Sequence, residues 1–105
     1  MISRQWRGLA KPDFADAYVE HLRRETLPGL ARIEGFVSAA IMKRPLAGGV
    51  EFLIVTLWDS LDAIARFAGP ELERAVVPDT VQEMMIEFDA HVRHYEVVPN
   101  KSPAD

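Results

Sequence analysis

The 105-residue chain contains no cysteine, so a disulfide framework, a thiolate nucleophile and a zinc–cysteine centre are all excluded. Histidine is scarce too, at three residues. His91 and His94 stand three apart on a predicted strand, point to opposite faces and cannot chelate one ion together. No His-Glu-x-x-His pattern, EF-hand loop or glycine-rich phosphate loop occurs, and Ser3, Ser38 and Ser60 sit in no nucleophile elbow. These absences argue against dedicated metal, nucleotide and acyl-transfer sites. Clustered positive charge is also missing: Arg23-Arg24 and Lys43-Arg44 are the only adjacent basic pairs, in a chain of net charge −4. Nucleic acid and an anionic membrane surface both require a concentrated basic face, so neither is expected as a partner. The longest apolar run, over 52–58, is interrupted by Thr56. It falls far short of the roughly 20 residues that span a bilayer. Polar and charged residues within the first seven positions leave no room for a signal-peptide core. A soluble, cytoplasmic protein is expected.

What is present fits one domain, read over 1–98, with a polar tail over 99–105. A domain this short buries only about 60–65% of the surface its unfolded chain exposes, so a partner subunit would add useful burial. A first strand is predicted over 2–7, ended by Gly8. Pro12 suits the first turn of a helix, with Asp13 and Asp16 complementing its positive end. Phe14, Tyr18, His21, Leu22 and Glu25 recur on one helical face, and Leu27-Pro28-Gly29 marks a stop. A second strand over 35–44 alternates, with Phe36, Ser38, Ala40 and Met42 on one side. Its other side carries Val37, Ala39, Ile41 and Lys43. Turn residues over 45–49 join it to a third strand over 50–58, rich in β-branched and aromatic residues.

Asp59 or Ser60 caps a second long helix through Leu61, Ile64, Phe67 and Ala68, which Gly69-Pro70 breaks. A short helical piece is predicted over 71–77. Another begins at a capping box, either Asp79 with Gln82 or Thr80 with Glu83, and runs through Val81, Met84 and Met85. A final strand is read over 90–98. The order β-α-β-β-α-β is the α+β, ferredoxin-like arrangement: an antiparallel sheet with its helices on one face. Yet Leu53, Val55 and Leu57 lie on one side of the third strand, and Phe52, Ile54 and Trp58 on the other. An antiparallel sheet with one wet face should alternate. A second copy of the chain, packed sheet to sheet, would cover the surplus apolar side, and a homodimer is expected. A long loop or the inserted helix folding over that face is the alternative.

The stretch over 50–64, VEFLIVTLWDSLDAI, resembles the strand-Trp-x-Ser-helix signature of the antibiotic-biosynthesis-monooxygenase superfamily. Thr26-Leu27-Pro28-Gly29-Leu30 followed by Gly35-Phe36 is similar to that family's helix-to-strand link, with Ala75-Val76-Val77-Pro78 and His94-Tyr95-Glu96-Val97 further on. The resemblance implies a homodimeric α+β barrel. It also implies a monooxygenase that oxidises a phenol or quinol-like aromatic with O₂ and without metal, flavin or other cofactor. Haem-degrading members use an Asn on the first strand with a Trp and a His on the second helical region. Here Phe67 and Val77 occupy those last two positions, and the first strand offers Gln5 and Trp6 but no Asn, so haem chemistry is not implied.

Candidate site residues follow from helix geometry. His21 shares a face with Phe14 and Tyr18, which carries it toward the space between helix and sheet as the first choice of general base. A lone inward histidine can equally be a hydrogen-bonded structural residue. His94 is the reserve base. Tyr18, Trp58 and Phe67 are the expected walls for a small aromatic ligand, although rings of this size serve equally as plain core. The alternative to an enzyme is a non-catalytic barrel that binds a small molecule or serves as a structural unit.

Overall fold

The structure, a computed structural model, describes residues 1–100. Most of the expected polar tail, from residue 101 onward, lies outside the described residues. Strand β1 (Ile2–Ala10) leads through a 3₁₀ turn (Pro12–Phe14) into helix α1 (Ala15–His21). A π-helical segment (Leu22–Thr26) and helix α2 (Leu27–Ala31) continue it. Strands β2 (Phe36–Leu46) and β3 (Gly49–Trp58) form a hairpin, followed by α3 (Leu61–Ala68), α4 (Asp79–Met84), β4 (Met85–Phe88) and β5 (Arg93–Glu96). The sheet order is β2-β3-β1-β4, with β5 also pairing β1, and every pairing is antiparallel. This is the expected ferredoxin-like plan, with β4 and β5 together serving as the fourth strand.

Several boundaries differ from the sequence reading, each for a physical reason. The first helix does not stop at Pro28. The π segment shifts the backbone ladder by a residue, with the Leu27 N–H donating to the Leu22 carbonyl, so the missing N–H of Pro28 falls at the first turn of a new helical stretch. Phe14 is exposed, its ring 5.8 Å from Lys11 Nζ, and the buried face is built instead by Ala15, Tyr18, Leu22 and Leu30. The strand β2 register shifts between Phe36 and Ser38, which leaves Val37 as an extra residue and places Phe36 on the helix side together with Ala39 and Ile41. The predicted alternation therefore holds only beyond the bulge. The hairpin turn is shorter than expected: Leu46 still pairs with Gly49, and Gly48 adopts the positive φ of +86° that the tight loop demands.

Residues 71–77 form no helix, only turns and an isolated bridge from Arg74 to His91. Neither capping box forms. Pro78 stands at the N-cap of α4, and Gln82 turns its amide back to the Val77 carbonyl at 2.9 Å. Ser60 does cap α3, its Oγ accepting from the Ala63 N–H at 3.2 Å. Met85 opens a strand, earlier than the predicted final strand, and is buried.

Pairing fixes two faces. Ile2, Arg4, Trp6, Gly8 and Ala10 of β1 lie opposite Trp58, Thr56, Ile54, Phe52 and Val50 of β3. This is the helix-covered side, where Phe52 and Trp58 are fully buried. Two clusters make the core: one around Tyr18, Leu22, Phe52 and Val81, the other around Leu30, Trp58 and Ile64. The opposite face carries Leu53, Val55 and Leu57 with the exposed Met42, Ile86 and Tyr95. At its hairpin end Glu51 sits between Arg7 and Arg44, whose guanidinium groups hold its carboxyl below the usual carboxylate range. No helix among the described residues is long and apolar enough to cross a membrane.

Candidate active site

The gap between the two core clusters holds a cavity. Its inner chamber, about 80 Å³, is floored by Trp6, Ile54 and Thr56 of the sheet. Tyr18, Leu22 and Phe67 wall it, and Val77 and Val81 close it from the opposite side. Thr26, Leu30, Phe67, Val76 and Pro78 are shared with a wider outer chamber of about 680 Å³, where His21, Glu25 and Thr80 join the lining. The helical face that lines both chambers runs through the π segment. Its widened turn lets Leu22, Thr26 and Leu30 follow one another along the cavity.

Each ring has a definite setting. Tyr18 is 2% exposed and meets Phe52 edge-on, with centroids 4.8 Å apart. Burial pushes its phenol well above the ordinary tyrosine range, so it stays protonated. Trp6 anchors its indole N–H on the Asp89 carbonyl at 2.9 Å and lies 6.2 Å from the Tyr18 ring. Trp58 does not line the cavity. It is fully buried behind it, donating to Thr56 Oγ1 at 2.8 Å and stacking on Phe67 at 6.0 Å, and so holds Phe67 in place.

The two histidines fall in different places. His21 lines the outer chamber and not the inner one. His94, on the helix side of β5 opposite Arg4, lines neither chamber, and its Nε2 lies 3.0 Å from Arg4 Nη1. A guanidinium can only donate, so Nε2 is the acceptor and the imidazole carries its proton on Nδ1. Burial first, then the Arg4 charge, lower the His94 pKa from 6.5, with Glu73 acting weakly in the other direction. The structure thus brings Tyr18 and Phe67 together in the inner chamber, sets His21 at its approach, and leaves Trp58 and His94 behind the walls.

Among the lining residues that sequence reasoning missed, which include Trp6, Thr26 and Thr56, Arg4 is the charged one. It is 5% exposed, its guanidinium donates to the Leu72 carbonyl at 2.6 Å and the Arg74 carbonyl at 3.0 Å, and it lies 5.6 Å from the Phe67 centroid. Desolvation lowers its pKa to about 10, which still leaves it charged at neutral pH. A signal was available in the strand pattern, since Arg4 occupies the face that also carries Ile2 and Trp6. Among the described residues, no group of three or more His, Cys, Asp or Glu side chains is placed to hold a metal ion.

A family model described as antibiotic biosynthesis monooxygenase matches residues 1–78. The chain belongs to that family. Solved structures carry the likeness over the rest of the monooxygenase fold. A Bacillus cereus protein provisionally assigned as an antibiotic biosynthesis monooxygenase superposes with a TM-score of 0.68 at 20% identity, over 97% of this chain and 95% of its own. One from Deinococcus radiodurans with the same provisional assignment gives 0.65 at 15% identity, over 97% of each chain. The heme-degrader MhuD from Mycobacterium tuberculosis, solved with two hemes bound in its active site, gives 0.58 at 19% identity, over 97% of this chain and all of its own. At these identities the likeness establishes the fold. No curated protein matches the sequence.

Proposed function

We propose that this family member is a cofactor-independent monooxygenase for a small phenol or quinol-like aromatic, working as a cytoplasmic homodimer. The observation that supports it most is the inner chamber itself: a largely apolar slot between helix and sheet, edged by Trp6, Tyr18 and Phe67, with Arg4, Thr26 and Thr56 as its few other polar groups. An apolar cavity of roughly 150 Å³ is enough to take up benzene, so the inner chamber with part of the outer one suits one or two fused rings. His21, at the approach, is the group we assign to take the phenolic proton, and its partial exposure lets the proton pass on to water.

A phenolate is electron-rich enough to reduce O₂ without a metal. Dioxygen then adds to the ring carbon, one oxygen stays as a carbonyl and the other leaves as water. In balance, a phenol and O₂ give a quinone and water. The protein supplies orientation, proton removal and a dry chamber. A second copy of the chain, seated on the open sheet face of Leu53, Val55 and Leu57, would complete the barrel.

The test is oxygen uptake by metal-free protein on a panel of hydroquinones and phenols. Uptake is expected for at least one small member. His21→Ala should remove it with little change in thermal midpoint. No uptake on any member, by protein that binds those compounds, would favour a non-catalytic binding role instead. Full uptake by the variant would remove His21 as the base, and His94, which lines neither chamber, could not take its place without a rearrangement of Arg4.

A further inference from the structure

Resting on the reading of the inner chamber as an aromatic-ligand site, we propose that Arg4 is its anion-recognition residue. The ligand is then held as a planar anion whose ring-borne oxygen, phenolate or carboxylate, pairs with the guanidinium. A guanidinium has five N–H donors. Three of the Arg4 donors are taken, two on Nη1 by the Leu72 carbonyl and His94 Nε2 and one on Nη2 by the Arg74 carbonyl. All three partners are neutral. No carboxylate lies within ion-pair distance of Arg4 among the described residues, although Arg24, Arg44 and Arg74 each have one and Arg7 has two.

The charged groups around it supply no compensation. On β5, His94 accepts from Arg4 and is therefore neutral. In the segment beside it, Glu73 acts on His94 through space without reaching the guanidinium, and on α1 the buried Tyr18 stays protonated. A buried cation without a counter-charge is costly, and unpaired charges are retained where a ligand completes them. Arg4 lines the inner chamber, with Phe67 close by and Trp6 two residues along the same strand face. An aromatic ring packed between those side chains would present its oxygen to the remaining donors. A charge-assisted contact of this kind favours the ionised ligand over the neutral one.

The experiment uses the whole protein, freed of metal, and three para-substituted nitrobenzene probes: 4-nitrophenol, 4-nitrobenzoate and the neutral 4-nitroanisole. The visible absorption of bound nitrophenol against pH reports its ionisation in the site. Its pKa should fall by about one unit or more on binding, a tenfold or greater preference for the phenolate. Arg4→Met should reverse that shift, and Arg4→Lys should keep part of it. Nitrobenzoate binding at least tenfold more tightly than nitroanisole would place a carboxylate against Arg4; a shift confined to nitrophenol would place a phenolate there. A residue that merely ties down the carbonyls of Leu72 and Arg74 would move stability without moving the ligand's ionisation. If Arg4→Met fails to fold, the titration of the parent protein decides alone. Equal binding of nitrophenol and nitroanisole, with no fall in the bound pKa, would overturn the Arg4 assignment and leave the chamber reading standing. Binding of none of the three would remove the chamber reading and this inference together.

Discussion

Gly8→Ala makes a demanding test of how the sheet builds the cavity floor. Gly8 lies on the helix-covered face of β1, and a Cβ there would overlap Trp6 Cη2, come within 2.9 Å of Trp6 Cζ3 and within 3.0 Å of Met85 Sδ. The Trp6 ring lies across the glycine because no side chain is there, and its N–H bond to the Asp89 carbonyl fixes the ring's far edge. The indole cannot swing away without losing that bond or pressing on Tyr18, whose centroid is 6.2 Å off. Overpacking of this kind typically costs 1–3 kcal/mol. Taking about 2 kcal/mol, and a response of roughly 4–8 °C per kcal/mol for a domain of this size, the midpoint should drop by about 8–16 °C at fixed protein concentration. Thermal denaturation by circular dichroism reads this directly. Gly8→Ala with Trp6→Leu should cost less than the sum of the two single changes, because the smaller side chain leaves room for the methyl. An unchanged midpoint in Gly8→Ala, with unaltered tryptophan fluorescence, would show that the Trp6 ring is not held across Gly8.

Further predictions concern titration, assembly and haem. Burial raises the Tyr18 pKa above 10.0, so its stabilising contribution is complete below pH 10.0 and is lost as pH rises toward the folded value; Tyr18→Phe should flatten the alkaline fall in stability seen in a denaturation series. The lowered His94 pKa has the opposite sense. Its contribution is complete above pH 6.5 and is lost as pH falls through 6.5 toward the folded value, and an NMR titration should find its midpoint below 6.5 and closer to it in Arg4→Met. Sedimentation equilibrium at micromolar concentration should give a dimer, and Leu53→Glu should leave an 11.8 kDa species; a monomeric parent would contradict the sheet-to-sheet assembly. Haem titration should give no submicromolar Soret shift and no ascorbate-dependent ring opening, because Phe67 and Val77 present only carbon to the inner chamber.

The strands announced themselves where both periodicity and composition agreed. The third strand's run of β-branched and aromatic residues, from Val50 to Trp58, appears in the structure with one added residue at its start. The Ser60 cap was legible for the same reason, a short hydroxyl side chain just before an apolar helical repeat. What escaped the sequence depended on exceptions to regular geometry. A bulge at Val37 flips one position of β2, and no residue type there signals it. The π segment lets a helix run through Pro28, where the proline rule alone predicts a stop. The last strand divides because β1 pairs with it in two places, a long-range relation that local pattern cannot carry.

The site was half visible. Tyr18 and Phe67 reach the chamber because the helical period points them at the sheet. His21 sits a step around that face, and so at the outer chamber. Trp58 stands behind Phe67 of the helix that follows it, and His94 lies behind Arg4, which only the pairing of β5 with the distant β1 brings to it. Arg4 itself reads as an ordinary strand arginine until its face is identified.

The proposed function requires that the chain, with no metal or organic cofactor, place one atom of dioxygen on a small aromatic held in the inner chamber. Reaction of the metal-free protein under isotopically labelled dioxygen, with the product analysed by mass spectrometry, tests it most directly. Each molecule of quinone product should carry one labelled oxygen atom, with the second in water. Oxygen consumption that leaves the product unlabelled and yields hydrogen peroxide, or labelling that survives when the chamber is blocked by Thr26→Trp, would contradict it.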